Sequence, residues 1–222
     1  MAATVEATPR GARPASAPAG TSKWLEGRNR LYVYIGGAIA IVALVALLVV
    51  LSERRKQTFA ERALDQATNI AQSGNLGLAA SELQKVITTY SGTAAAQEAV
   101  IRLNQVRLVN GQQELAAVGL QEFIKSGPSP QFLTAANGLL GRALENSNRP
   151  GEAAAAYLRA SQSADVDYLK AEYLMDAGRA YVDAKDSAKA IATYQGLLKD
   201  FPNFSSKTEA EVRLAELTGG AL

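Results

Sequence analysis

Residues 141–157 read GRALENSNRPGEAAAAY, and residues 178–194 read GRAYVDAKDSAKAIATY. The two stretches start 37 residues apart, open on Gly-Arg-Ala and close on Ala-x-x-x-Tyr. The same spacing extends backwards. Ala79, Ala116, Ala153 and Ala190 follow one another at 37-residue intervals, with Leu83, Leu120, Tyr157 and Tyr194 four positions later. Val86, Phe123, Ala160 and Leu197 come three positions after those. Five residues before each alanine stand Gly74, Gly111, Asn148 and Lys185, residue types suited to a tight turn. A fixed period of this length marks a stack of supersecondary units. The small alanine lets the second helix of a hairpin lie close to the first, and the residue four on fills the gap one turn along. Gly141 and Gly178 relieve crowding where the two helices cross. A single hairpin cannot bury its apolar face, so about four of them share a continuous core.

Outward from this pattern, residues 57–217 read as helical, broken at Ser73-Gly74-Asn75, Asn110-Gly111, Gly127-Pro128, Arg149-Pro150-Gly151 and Phe201-Pro202-Asn203. The last segment, SSKTEAEVRLAEL at 205–217, has a thin apolar edge among charges and suits a terminal cap. Asp165 and Asp167 are expected in a loop that caps the following helix.

Residues 31–51, LYVYIGGAIAIVALVALLVVL, are 21 consecutive uncharged residues. At about 1.5 Å per residue they cover the roughly 30 Å hydrocarbon core of a bilayer. Trp24, Tyr32 and Tyr34 suit the interface on one side, and Glu53, Arg54, Arg55 and Lys56 end the apolar run on the other. A cleaved signal sequence has a shorter apolar region followed by a small-residue cleavage site, so an uncleaved span over 31–52 is expected. Gly36, Ala40 and Ala43 share one face of it and would admit another helix closely. Residues 1–30 form a basic N-terminal tail; within it, 1–22 are rich in Ala, Pro, Gly, Ser and Thr, with no periodic apolar face. The positive-inside comparison is nearly balanced, with five Lys/Arg before the span and four shortly after it. Long domains translocate largely regardless of nearby charge, which favours a cytoplasmic N-terminus and an external repeat domain.

The 222-residue chain has no Cys and no His. This excludes Cys/His zinc sites, His-ligated haem, Cys or His nucleophiles and disulfides. No catalytic arrangement, phosphate-cradling loop, metal site or cofactor site is expected. Net charge is +2, yet residues 1–56 carry eight Lys/Arg against three acids, and residues 57–222 carry fifteen against eighteen. A mildly acidic repeat domain does not offer a nucleic-acid surface.

Leu174, Gly178, Tyr181, Ala190, Tyr194 and Pro202, with Gly141, Leu144, Ala153, Tyr157 and Ala160, resemble the tetratricopeptide repeat. The first two units depart from it, with Asn104 and Arg107 where a small and a large apolar residue are expected. The fold this implies is all-α. A single N-terminal transmembrane helix precedes a tetratricopeptide-like helical-hairpin solenoid with a C-terminal capping helix. In grooves of that family, ligands meet the first helix of each hairpin. Carried over, this points to Ala135, Gly138, Arg142, Glu145 and Asn146 in the third unit. In the fourth it points to Glu172, Met175, Arg179, Val182 and Asp183. Arg142 and Arg179 occupy one repeat position. They suit a bidentate grip on a carboxylate, or else two solvated cations neutralised by Glu145, Glu172 and Asp183.

The whole layout, including AERALDQATNIAQSGNLGLAASELQKVITTYSGTAAAQEAVIRL at 60–103, resembles the bacterial family that includes the ancillary subunit of the Sec translocon. That resemblance implies a bacterial inner-membrane location with a periplasmic C-terminal domain. The expected function is a non-catalytic, membrane-anchored subunit that organises or stabilises a larger integral membrane complex. The alternative is a periplasmic chaperone-like adaptor for emerging polypeptides at a translocase. Partners would be integral membrane proteins, the lipid bilayer and an extended or unfolded polypeptide, with no nucleic acid.

Overall fold

The structure, a computed structural model, describes residues 28–220; Trp24 and most of the N-terminal tail lie outside them. Among the described residues every regular element is an α-helix. They are α1 (Arg28–Gln72), α2 (Leu76–Thr89), α3 (Ala94–Val109), α4 (Gln113–Lys125), α5 (Pro130–Asn146), α6 (Pro150–Ser163), α7 (Asp167–Asp183), α8 (Ser187–Asp200) and α9 (Lys207–Thr218). Contacts divide the chain after Ser52 into two units.

The first unit contains the apolar part of α1. Residues 31–51 are all exposed, and an 18-residue window reaches a mean hydropathy of 2.8. α1 is thus long and apolar enough to cross a membrane. The charged residues 53–56 that end the apolar run lie within α1. Glu, Arg and Lys are good helix formers, and no Gly or Pro interrupts residues 52–72.

In the second unit each helix from α2 to α9 packs on the next in sequence, and α3 also meets α5. The turns recur with the repeat. Gly74, Gly111, Asn148 and Lys185 all have positive φ, at 86°, 71°, 57° and 60°. At three of these turns the same long bond closes the helix end. Gln112, Arg149 and Asp186 donate backbone N–H to the carbonyls of Arg107, Leu144 and Tyr181, at 2.8, 2.9 and 2.9 Å. Lys185 takes this backbone with a β-carbon, at a cost of about 1 kcal/mol.

Ala79, Ala116, Ala153 and Ala190 are fully buried, as are Leu83, Leu120 and Tyr194, with Tyr157 nearly so. The matching position on the first helix of each pair holds Ala67, Asn104, Gly141 and Gly178, also 37 apart, with Gly141 facing Tyr157 and Gly178 facing Tyr194. The pairs are matched in size. Where the second helix supplies leucine, the first supplies Ala67 or Asn104. Where it supplies tyrosine, the first supplies glycine, because a β-carbon at Gly141 or Gly178 would lie 2.5 Å from the ring of Tyr157 or Tyr194. Asn104 is larger than its counterparts, and the room is made on α4 instead. A β-carbon at Gly119 would lie 2.8 Å from Arg107 Nη1 and 2.9 Å from Asn104 Oδ1. Asn104 is buried and satisfied, donating to the Val100 carbonyl at 2.9 Å and accepting from Arg107 at 3.0 Å.

Two substitutions check this packing by thermal or chemical denaturation. Lys185→Gly should stabilise the protein by about 0.5–1 kcal/mol, since glycine takes positive φ without strain. Ala190→Leu should destabilise it by about 1–3 kcal/mol through overpacking.

Candidate protein-binding surface

The residues singled out in the third and fourth hairpins lie on α5 and α7, and the structure separates them into three kinds. Arg142, Asn146, Glu172, Val182 and Asp183 are exposed. Glu145 and Arg179 are tied into a chain of polar contacts. Gly138 and Met175, by contrast, are buried and do not face a ligand. These two share one repeat position, and it packs inside the solenoid. A β-carbon at Gly138 would lie 2.6 Å from the Tyr173 ring of α7, while Met175 joins the apolar core. Ala135 is likewise partly buried against that core.

The polar chain runs across three helices. On α7, Arg179 pairs with Asp176 at 2.9 Å and reaches Glu145 of α5 at 3.6 Å. Glu145 in turn accepts a 2.6 Å hydrogen bond from the Tyr157 hydroxyl of α6. Tyr157 stacks on Tyr173 with ring centres 6.4 Å apart and planes 21° apart. α5 is therefore clasped between two rings at Gly138 and Gly141.

Electrostatics follow from this placement. Burial pushes the Tyr157 hydroxyl far above its ordinary pKa, and the bond to Glu145 adds to the rise. Burial also raises Asp176, outweighing the Arg179 charge beside it. For Arg179, burial acts to lower the pKa, but Asp176 and Glu145 together raise it. Arg179 is thus neutralised from within the chain, so of the two arginines only Arg142 stands free of a carboxylate contact among the described residues. Each part-exposed ion pair contributes at most about 1 kcal/mol, so the chain mainly fixes side-chain orientation.

Asp176 and Tyr173 escaped the reading of the sequence. Their repeat equivalents are Leu139 and Ala136, so periodicity gave no signal for them. The i, i+3 spacing of Asp176 and Arg179 was the one local clue. Asp165 lies in the loop before α7 as expected, but neither it nor Asp167 caps the helix. The position before α7 is held by Val166 without a side-chain cap, and Asp167 lies in the first turn, 3.0 Å from Lys170. In the first unit, Gly36, Ala40 and Ala43 are exposed, and no atom of the described residues lies within 4 Å of a β-carbon built at Gly36.

The two tyrosines give a paired prediction. Tyr157 has an acceptor in Glu145, but the equivalent residue beneath Tyr194 is Val182, and the Tyr194 hydroxyl is buried without a partner among the described residues. Tyr157→Phe should cost about 1–2 kcal/mol, whereas Tyr194→Phe should be neutral or slightly stabilising. Melting curves of the two variants side by side check this.

Comparison with known proteins agrees with the architecture. No curated protein matches the chain significantly. The crystal structure of the MamA protein superposes with a TM-score of 0.57, at 20% identity, over 72% of this chain and 83% of that one, which shows a shared fold. Residues 172–203 match the tetratricopeptide repeat, and residues 42–174 match the tetratricopeptide repeat-like domain. The chain belongs to the tetratricopeptide repeat-like domain family.

Proposed function

We infer that the protein is a non-catalytic, membrane-anchored interaction subunit that helps to organise or stabilise a larger integral membrane complex. The observation that carries this reading is one chain with two surfaces of opposite character. An entirely exposed apolar helix segment covers 31–51, and a tetratricopeptide repeat-like domain follows it. Exposed apolar helix on that scale needs a bilayer around it. The hairpin stack in turn offers a long concave surface for proteins. We place the anchor in a bacterial inner membrane with the N-terminus cytoplasmic and the repeats periplasmic.

Retention in the complex rests mainly on the span. Gly36, Ala40 and Ala43 give a small-residue face for another helix, whereas the concave face has one of its two arginines already neutralised. Several modest linked contacts hold a subunit tightly without any single strong one.

A second reading, the adaptor for emerging polypeptides at a translocase, draws on the Sec-family resemblance and one observation. A cavity of about 300 Å³ between the end of α1, α2 and α3 is lined by the apolar Ala71, Leu76, Leu83, Val106 and Val109, the last 76% exposed, together with Thr68, Gln72, Arg102 and Gln105. An apolar side chain of an extended segment fits such a slot. Crosslinking in native membranes separates the readings: a fixed partner set supports the subunit, and many transient clients support the adaptor.

Topology and retention are both testable. Protease added to spheroplasts should digest the repeats and spare the tail; protection of the repeats contradicts the placement. Gly36→Leu with Ala40→Leu should release the protein from its complex in mild detergent. Arg142→Ala should reduce retention only slightly. The reverse pattern would make the concave face the anchor.

A further inference from the structure

A cavity of about 270 Å³ lies at the far end of the solenoid, where the start of α7, the end of α8 and the turn into α9 meet. Three aromatic rings line it, from Tyr168, Phe201 and Phe204, together with the carboxylates of Asp167 and Asp200, and no basic residue does. Phe201 and Phe204 are held by packing against the core. Tyr168 is 64% exposed in the first turn of α7, a large ring that the fold leaves in water. The repeat itself does not require these rings, since the equivalent positions one unit earlier hold Gln131, Ala164 and Asp167.

Each lining group narrows the ligand. Carboxylates repel an anion, and a neutral apolar group would leave them desolvated. A small metal ion needs more oxygen ligands than two aspartates offer among aromatic faces. An organic cation with a diffuse, weakly hydrated charge gains from both, through the ring faces and through the carboxylates. Asp167 is partly occupied by Lys170 at 3.0 Å, whereas Asp200 makes no ion pair among the described residues. The end of α8 adds the negative pole of its helix dipole.

We propose that this cavity is a binding site for an organic cation, a quaternary ammonium or a guanidinium group. It lies apart from the α5–α7 face and does not depend on the membrane anchor.

The test is calorimetric titration of the full chain in nanodiscs with choline, with N-acetylarginine amide, and with 3,3-dimethylbutan-1-ol, the uncharged carbon analogue of choline. At least one cation should bind saturably and more tightly than the neutral analogue. Tighter binding of choline assigns the site to a free ammonium compound, and tighter binding of the arginine derivative assigns it to a basic side chain of a partner. Tyr168→Ala should weaken binding about two- to fivefold, with Tyr168→Phe restoring it, because the ring face and not the hydroxyl makes the contact. Asp200→Asn should weaken binding and flatten its salt dependence. Equal binding of the neutral analogue, no saturable binding of either cation, or an unchanged affinity in Tyr168→Ala would overturn the proposal.

Discussion

In each of the last two complete hairpins a tyrosine ring from the second helix packs directly against a glycine of the first. Tyr157 on Gly141 and Tyr194 on Gly178 leave no space for even one methyl group. This contact sets how close the two helices of a hairpin come, and hence how the hairpins stack. Where the second helix offers only leucine, Ala67 and Asn104 suffice on the first. The repeat therefore conserves a summed volume across the helix pair and not a residue type, as expected of an interior packed to crystal-like density.

What was legible in the sequence follows from this. Alanines, glycines and rings that serve the packing recur every 37 residues, so the stack, the turns and the crossing points could be read from spacing alone. The turn backbone recurs even where glycine does not, which is why Asn148 and Lys185 carry positive φ. Residues that depend on a neighbour outside the repeat were not legible. Met175 and Gly138 were placed on the groove by the family resemblance, yet Gly138 packs against Tyr173 of the next hairpin and Met175 lies in the core. Asp176 has no polar counterpart in the preceding unit, so only its i, i+3 spacing pointed to Arg179, whereas the reach of Arg179 to Glu145 is visible only once α5 and α7 are side by side. For the arginine pair the sequence left two readings open, a shared grip or neutralisation by Glu145, Glu172 and Asp183; Arg179 meets Glu145 across the fold and Asp176 within its own helix, not Glu172 or Asp183.

The same contrast bears on function. Polar groups in the middle of the α5–α7 face satisfy one another, an arrangement that favours a defined orientation over a hungry binding site. Surfaces that remain unsatisfied lie elsewhere. They are the apolar helix face at 31–51, the slot beside Val109, and the aromatic and acidic cavity at Tyr168. A scaffold working through several modest contacts fits this distribution better than one working through a single deep groove.

The size matching between paired helices is the claim on which the description of the solenoid rests, and a double-mutant cycle on Gly141 and Tyr157 addresses it directly. Gly141→Ala alone should destabilise the protein by about 1–3 kcal/mol. With Tyr157→Leu in the same chain, which copies the Ala67–Leu83 pair, the alanine should cost far less, giving a coupling of about 1 kcal/mol or more. Additive effects of the two substitutions would contradict the account.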